Sequence, residues 1–151
     1  MNILALDLAG KMGWAYGPAN SVRPACGSVD LRKPLGGHGA IGAEFLKWID
    51  AFTQGAPVDA FVIEREMRVG AVPMSHDAHR VLIGLVFLAE AVAELRNARK
   101  VMLVDAQAAR KHFLGQRTFQ AEKNLENGKV TPSRTVAKNA VMARCRMLGL
   151  E

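Results

Sequence analysis

Ile3-Leu4-Ala5-Leu6-Asp7-Leu8-Ala9-Gly10-Lys11-Met12-Gly13-Trp14-Ala15 is the stretch whose reading decides the fold of this chain. The apolar run Ile3 to Leu6 predicts a buried strand that ends on one carboxylate, Asp7. A glycine-containing turn, Gly10 to Gly13, then folds the chain back into a second apolar stretch, Trp14 to Tyr16. A carboxylate at the end of a central strand, beside a turn with little side-chain bulk, suits a metal or phosphate site. Ionised and buried, it would need a partner, because an unpaired buried charge is costly. The same Asp can also begin a turn by bonding its own backbone. The hairpin alone leaves both roles open.

A second acidic strand lies beyond one helix. Apolar residues fall at Ile41, Phe45, Trp48 and Phe52, one face of an amphipathic helix over Ala40 to Thr53. Glu44, Lys47 and Asp50 face water, and Gly55 with Pro57 ends the helix. Trp48 lies on the apolar face and so belongs to the core rather than to a ligand stack. Ala60-Phe61-Val62-Ile63-Glu64 is again a buried-strand pattern ending on an acid, and Arg65, Glu66, Met67 and Arg68 follow in a loop to Pro73. If the two strands are parallel neighbours, as the helix between them permits, Asp7 and Glu64 come to one edge of a sheet. Carboxylates that close repel, and a divalent cation is the usual means of holding them together. Glu66 could serve instead of Glu64, but it lies farther into the loop.

Between these strands, Ala25 to Leu31 alternates loosely, as an edge strand does, and Lys33 to Gly39 is a loop. Ser75 to Arg96 is the longest helix pattern, capped by Ser75 or Asp77. Val81, Leu82, Leu85, Val86, Leu88, Ala89, Val92 and Leu95 make it apolar around much of its circumference. That fits either a central core helix or a helix buried in part by a second subunit, where Gly84 would allow close approach. His76 and His79 share a face without a third ligand, as ordinary surface histidines or caps do. Val101 to Val104 is a further strand, and Asp105 is a good N-cap for a helix over Ala106 to Leu114, or a rival metal ligand. Gly115 to Ser133 is long, polar and charged, a loop that is either mobile or functional. The last helix runs from about Ser133 to Leu148, with Arg134 and Lys138 one turn apart.

The 151 residues fit one domain with a sizeable core. Twenty basic against fourteen acidic residues leave a net charge of +6, which favours a polyanionic partner such as nucleic acid. Two separate cysteines, Cys26 and Cys145, make neither a disulfide framework nor a metal-ligand pair, so a reducing cytoplasm is the expected setting. No basic stretch precedes an apolar one at the N-terminus, so no signal peptide is expected, and the longest apolar run, Val81 to Val92, is too short to span a bilayer. No membrane association is expected.

The element order is an α/β pattern with acids ending the first and fourth strands. It resembles the ribonuclease H-like fold, a mixed sheet of about five strands flanked by helices. Within that fold it resembles the RuvC family of Holliday junction resolvases, particularly its short phage and bacterial members. The residues that carry this are Asp7, Gly13, Trp14 and Ala15, then Val62-Ile63-Glu64. Asp105-Ala106 through Arg110 to Gly115, and Ala137-Lys138 to Val141, match as well.

The resemblance implies a structure-specific endodeoxyribonuclease that resolves four-way or other branched DNA by hydrolysis dependent on Mg²⁺ or Mn²⁺. It makes Asp7 and Glu64 two of four metal-binding acids, with Asp7 bridging two ions and Glu64 ligating one. Arg110 and Lys138 fall where the family keeps basic residues near the scissile phosphate, and Arg65, Arg68 and Arg134 join them as expected DNA-binding residues. The helix 75–96 matches the one that pairs the subunits of a homodimer. The implied setting is the cytoplasm of a bacterial cell or a phage-infected host. Met67 departs from the pattern, standing where some members have an aromatic that stacks at the junction. The chain also stops at Glu151, before the helix that carries the remaining two acids, so a single, C-terminally incomplete nuclease domain is expected. Two other readings keep part of this pattern. One is a non-catalytic relative that binds branched DNA, and the other is an actin-like or sugar-kinase-like nucleotide-binding domain.

Overall fold

The structure is a computed structural model, which describes residues 1–21, 23–32, 36–65, 75–105, 108, 111, 122–123, 130–132, 135–136, 139–140 and 143. The chain falls into two compact units, Met1–Val104 and Asp105–Glu151.

The first unit holds β1 (Asn2–Asp7), β2 (Lys11–Pro18), β3 (Ala25–Asp30), α1 (His38–Gly55), β4 (Ala60–Glu64), α2 (His76–Leu95) and β5 (Lys100–Val104). Its five strands form one mixed sheet in the order β3-β2-β1-β4-β5. The β1–β2 and β2–β3 pairs are antiparallel, and β4 runs parallel to both β1 and β5. The α/β expectation of about five strands therefore holds, with the loosely alternating third strand at an edge.

One correction concerns the opening hairpin. The turn lies over Leu8 to Gly10, and Lys11 to Gly13 already belong to β2. Gly13 is opposite Asp7 in the ladder instead of inside the turn.

Alternation along the strands puts Leu4 and Leu6 of β1 and Phe61 and Ile63 of β4 on one face, all buried. They share a core with Phe45 and Ile49 of α1 and with Leu85, Ala89 and Val92 of α2. Trp14 and Tyr16 of β2 fall on the same face and meet the aromatic side of α1. Trp14 lies 6.2 Å from Trp48 and 5.4 Å from Phe52, centroid to centroid. Trp48 is thus part of the packing, as its place on the apolar face requires. On the next strand Gly27 is needed for this: a Cβ there would stand 2.9 Å from the Trp14 ring.

Local signals fix the helix ends. The Ser75 hydroxyl accepts from the Ala78 N–H, so Ser75 rather than Asp77 caps α2. Asn97 has φ of 53°, the left-handed conformation that commonly closes a helix. An Arg96–Asp50 ion pair ties the end of α2 to α1.

In the second unit, Glu122–Lys123 (β6) and Val130–Thr131 (β7) pair antiparallel, so the segment expected to be a loop carries a short two-stranded ribbon. Thr135, Val136, Asn139, Ala140 and Ala143 are helical, within the expected last helix.

Candidate metal centre

Parallel pairing of β1 with β4 is in register from Ile3 with Ala60 to Leu6 with Ile63. The next step along both strands reaches Asp7 and Glu64. In-register neighbours on parallel strands point to the same side, so the two carboxylates share the face opposite α1 and α2. This is the convergence that two acid-ended strands predict. Asp7 is exposed, Glu64 half-buried.

Beside Asp7 the wall is low. A Cβ at Gly13 would stand 3.7 Å from the Asp7 Cβ and 4.0 Å from its Oδ2, so glycine leaves the carboxylate flank open. The Asp7 carboxylate makes no hydrogen bond or ion pair with another described residue. It does not bond its own turn, which removes the turn-capping alternative for the described backbone. Glu64 is anchored by its ladder: it pairs with Val104, and the Arg65 N–H donates to the Val104 carbonyl at 2.9 Å, extending the strand by one residue. Arg65 itself is exposed.

The residues after the turn add charge that the sequence reading did not single out. The Leu31 N–H donates to the Gly10 carbonyl at 2.8 Å, and the Arg32 stem lies along Gly10. Arg32 donates two side-chain hydrogen bonds to Asp30, at 2.8 and 2.6 Å. Those bonds hold the Asp30 carboxyl well below the usual carboxylate range and raise the Arg32 guanidinium above its ordinary value. Asp30 is thus a carboxylate paired with its own cation, on a different strand from the Asp7–Glu64 pair.

Among the described residues, no three His, Cys, Asp or Glu side chains converge as a complete metal-ligand set. His76 and His79, one exposed and one half-buried, build no metal site with described residues. The donor set of Asp7 and Glu64 is nonetheless of the right chemistry. Hard carboxylate oxygens suit Mg²⁺ or Mn²⁺, and Mg²⁺ is commonly held by only one or two carboxylates plus substrate phosphate.

Asp105 follows β5 directly and belongs to the second unit. Its Oδ1 accepts from the Ala108 N–H at 3.2 Å, the hydrogen bond of an N-cap, and Ala108 and Lys111 are helical. Capping thus accounts for one of its oxygens. Glu66, Met67, Arg68, Arg110, Arg134 and Lys138 lie outside the described residues.

No known protein-family model matches the chain, and no curated protein matches it either. Solved structures do. The Thermus thermophilus RuvC structure aligns with a TM-score of 0.60 at 10% identity, covering 99% of this chain and 98% of that one. T. thermophilus RuvC in complex with Holliday junction substrate aligns with a TM-score of 0.59 at 11% identity, covering 99% and 97%. The chain has a RuvC-like fold, with the five-stranded mixed sheet of the ribonuclease H-like class.

Proposed function

We propose that this protein is a divalent-metal-dependent endonuclease acting on four-way or other branched DNA. The observation that carries the proposal is the in-register placement of Asp7 and Glu64 on neighbouring parallel strands. It gains weight from the fold, since one similar structure is a RuvC bound to a Holliday junction substrate. A net charge of +6 suits a polyanionic substrate.

Asp7 and Glu64 would hold Mg²⁺ or Mn²⁺ through their carboxylate oxygens. When bound, such an ion supplies Lewis-acid stabilisation of the charge that develops on a phosphodiester under attack by water. The protein's own part is to hold two anions side by side on rigid strands, so the site is organised before substrate arrives. Gly13 keeps the approach to Asp7 free of side-chain bulk. Arg65, next to Glu64 in sequence, is proposed to contact backbone phosphate, as are Arg68, Arg110, Arg134 and Lys138. The protein is further proposed to act as a homodimer paired through helix 75–96. Two copies of the site would then allow two strands of a junction to be nicked symmetrically.

The test is cleavage of a synthetic four-way junction by the whole chain with Mg²⁺ or Mn²⁺, beside a binding assay in Ca²⁺. Cleavage that disappears in Asp7→Asn while junction binding persists supports the proposal. Junction binding without cleavage in either protein would replace it with the binding-module reading. Absence of both would sink the DNA proposal.

A further inference from the structure

Three charged side chains at the β2–β3 end of the sheet belong neither to the core nor to the acid pair. Lys11 is opposite Asp30 in the β2–β3 ladder, and Arg32 follows two residues on. Asp7 is opposite Gly13, which in turn is opposite Ser28. Residues directly opposite one another share a face, and so do residues two apart on one strand. Lys11 and Asp30 therefore lie on the face that carries Asp7 and Glu64. Met12 and Leu31, the next residues in sequence, are buried in the core on the other side. One strand over and two residues along, the Lys11 Cα stands about 8 Å from that of Asp7, from the spacing and rise of a sheet.

Arg32 is held from two directions. Its stem crosses the turn that follows Asp7: a Cβ at Gly10 would stand 3.1 Å from both Cγ and Cδ, so glycine there lets the stem lie close. Its Nε and Nη2 donate to the two Asp30 oxygens, at 2.8 and 2.6 Å. That occupies two of the five N–H groups of a guanidinium, and the rest have no acceptor among the described residues. The side chain is nevertheless 62% exposed. Exposed pairs contribute little to folding, so stability does not account for fixing a guanidinium in this way. A fork with one edge on a carboxylate and the other open to solvent is suited to a phosphate. Lys11, also exposed, adds a second cation, so the cluster keeps a positive balance beside the two acids.

We propose that Lys11 and Arg32 clamp the phosphate next to the scissile one on the strand being cut, with Asp30 as the positioning residue that orients Arg32. This rests on the nuclease reading above and adds a subsite on the β2–β3 side of the acids. The cations stand too far along the sheet to share the phosphate that sits over Asp7 and Glu64, and near enough to take its neighbour. Asp30 has a second effect on the same site. A guanidinium lying across the turn after Asp7 would otherwise be drawn to that carboxylate and compete with a metal ion for it. Bound to Asp30, it stays on the phosphate side.

The experiment measures binding of the whole chain to a synthetic four-way junction in Ca²⁺, and its cleavage in Mg²⁺. One phosphate at a time around the cut is replaced by an uncharged methylphosphonate. Lys11→Gln and Arg32→Gln keep part of each stem, and thermal melts serve as the folding control. The double variant is expected to bind about tenfold more weakly, with a salt dependence shallower by one to two ions. Neutralising the phosphate next to the scissile one is expected to weaken the wild type by a similar factor and to leave the double variant unchanged. Asp30→Asn is expected to lose part of that position-specific effect without a fall in melting temperature. Binding and cleavage by the double variant equal to wild type overturn the clamp, as do methylphosphonate effects that add fully to it at every position. In both cases cleavage that still depends on Asp7 leaves the nuclease reading standing. A silent Asp30→Asn overturns the positioning role. A wild type that neither binds nor cuts the junction overturns the nuclease reading, and the clamp with it.

Discussion

Asp59 and Asp7 stand at opposite ends of the same pair of strands, and their surroundings are opposite too. Asp59 precedes β4 and closes the end where β1 begins. Its Oδ2 accepts the Asn2 N–H at 2.7 Å, its own N–H donates to the Asn2 carbonyl, and its carbonyl accepts the Arg99 N–H. The Met1 amine at 3.9 Å and the Arg99 guanidinium at 3.8 Å supply opposite charge. Asp7 ends β1 beside Gly13 and makes no such bond with a described residue. An acid whose hydrogen bonds are all internal serves the fold. One set beside a second carboxylate, on the far face from the core, fits the proposed metal site.

This contrast can be tested from its strongest consequence to its weakest. Asp7→Asn should lower junction cleavage on the order of a hundredfold or more, the scale seen when one stabilising group leaves an active site. It should not lower the melting temperature, because it relieves a neighbouring pair of carboxylates. A clear fall in thermal stability would make Asp7 a structural acid after all. Asp59→Ala should do the reverse. Loss of the half-buried bond to the Asn2 N–H should cost about 1–2 kcal/mol in urea unfolding, with cleavage unchanged per folded molecule. Cleavage lost in proportion to Asp7→Asn would break the division between the two ends.

Asp30 offers the smallest effect. Its folded carboxyl lies below the ordinary range because Arg32 donates to it, so the ion pair stabilises the fold above the unfolded carboxylate pKa. That contribution is lost as the pH falls through the folded value. The pair is exposed and screened by salt, so Asp30→Asn should change stability only slightly at neutral pH. The difference between the two proteins, measured by thermal melts from about pH 7 down to below pH 4, should shrink toward acid. A difference that grows toward acid would reverse the sign assigned to this pair.

Much of the site was legible because strand patterns are local. Ile3 to Leu6 and Ala60 to Ile63 announce buried strands, and the acid that ends each marks its own position. Gly13 misleads as a turn residue, because a glycine inside a strand carries the same letter as one in a bend. Its reason for being small, the open flank of Asp7, exists only across the ladder. The Asp59 clamp had no local signal either, since its main partner is Asn2, far away in sequence. The β6–β7 ribbon was missed because two-residue strands show no alternation.

The α2 helix draws the last distinction. Its apolar letters run around most of the circumference, so periodicity cannot say which arc faces inward. The sequence by itself determined the helix, the acid-ended strands and the basic charge, because each depends on neighbours along the chain, whereas the choice of Ser75 over Asp77 as its cap came from the structure. Which arc of α2 meets the core was decided by where α1 and the sheet lie, leaving Ile83 and Phe87 outside. That Asp7 and Glu64 become neighbours was likewise settled only when β1 and β4 paired in parallel, bringing together residues that the chain holds far apart.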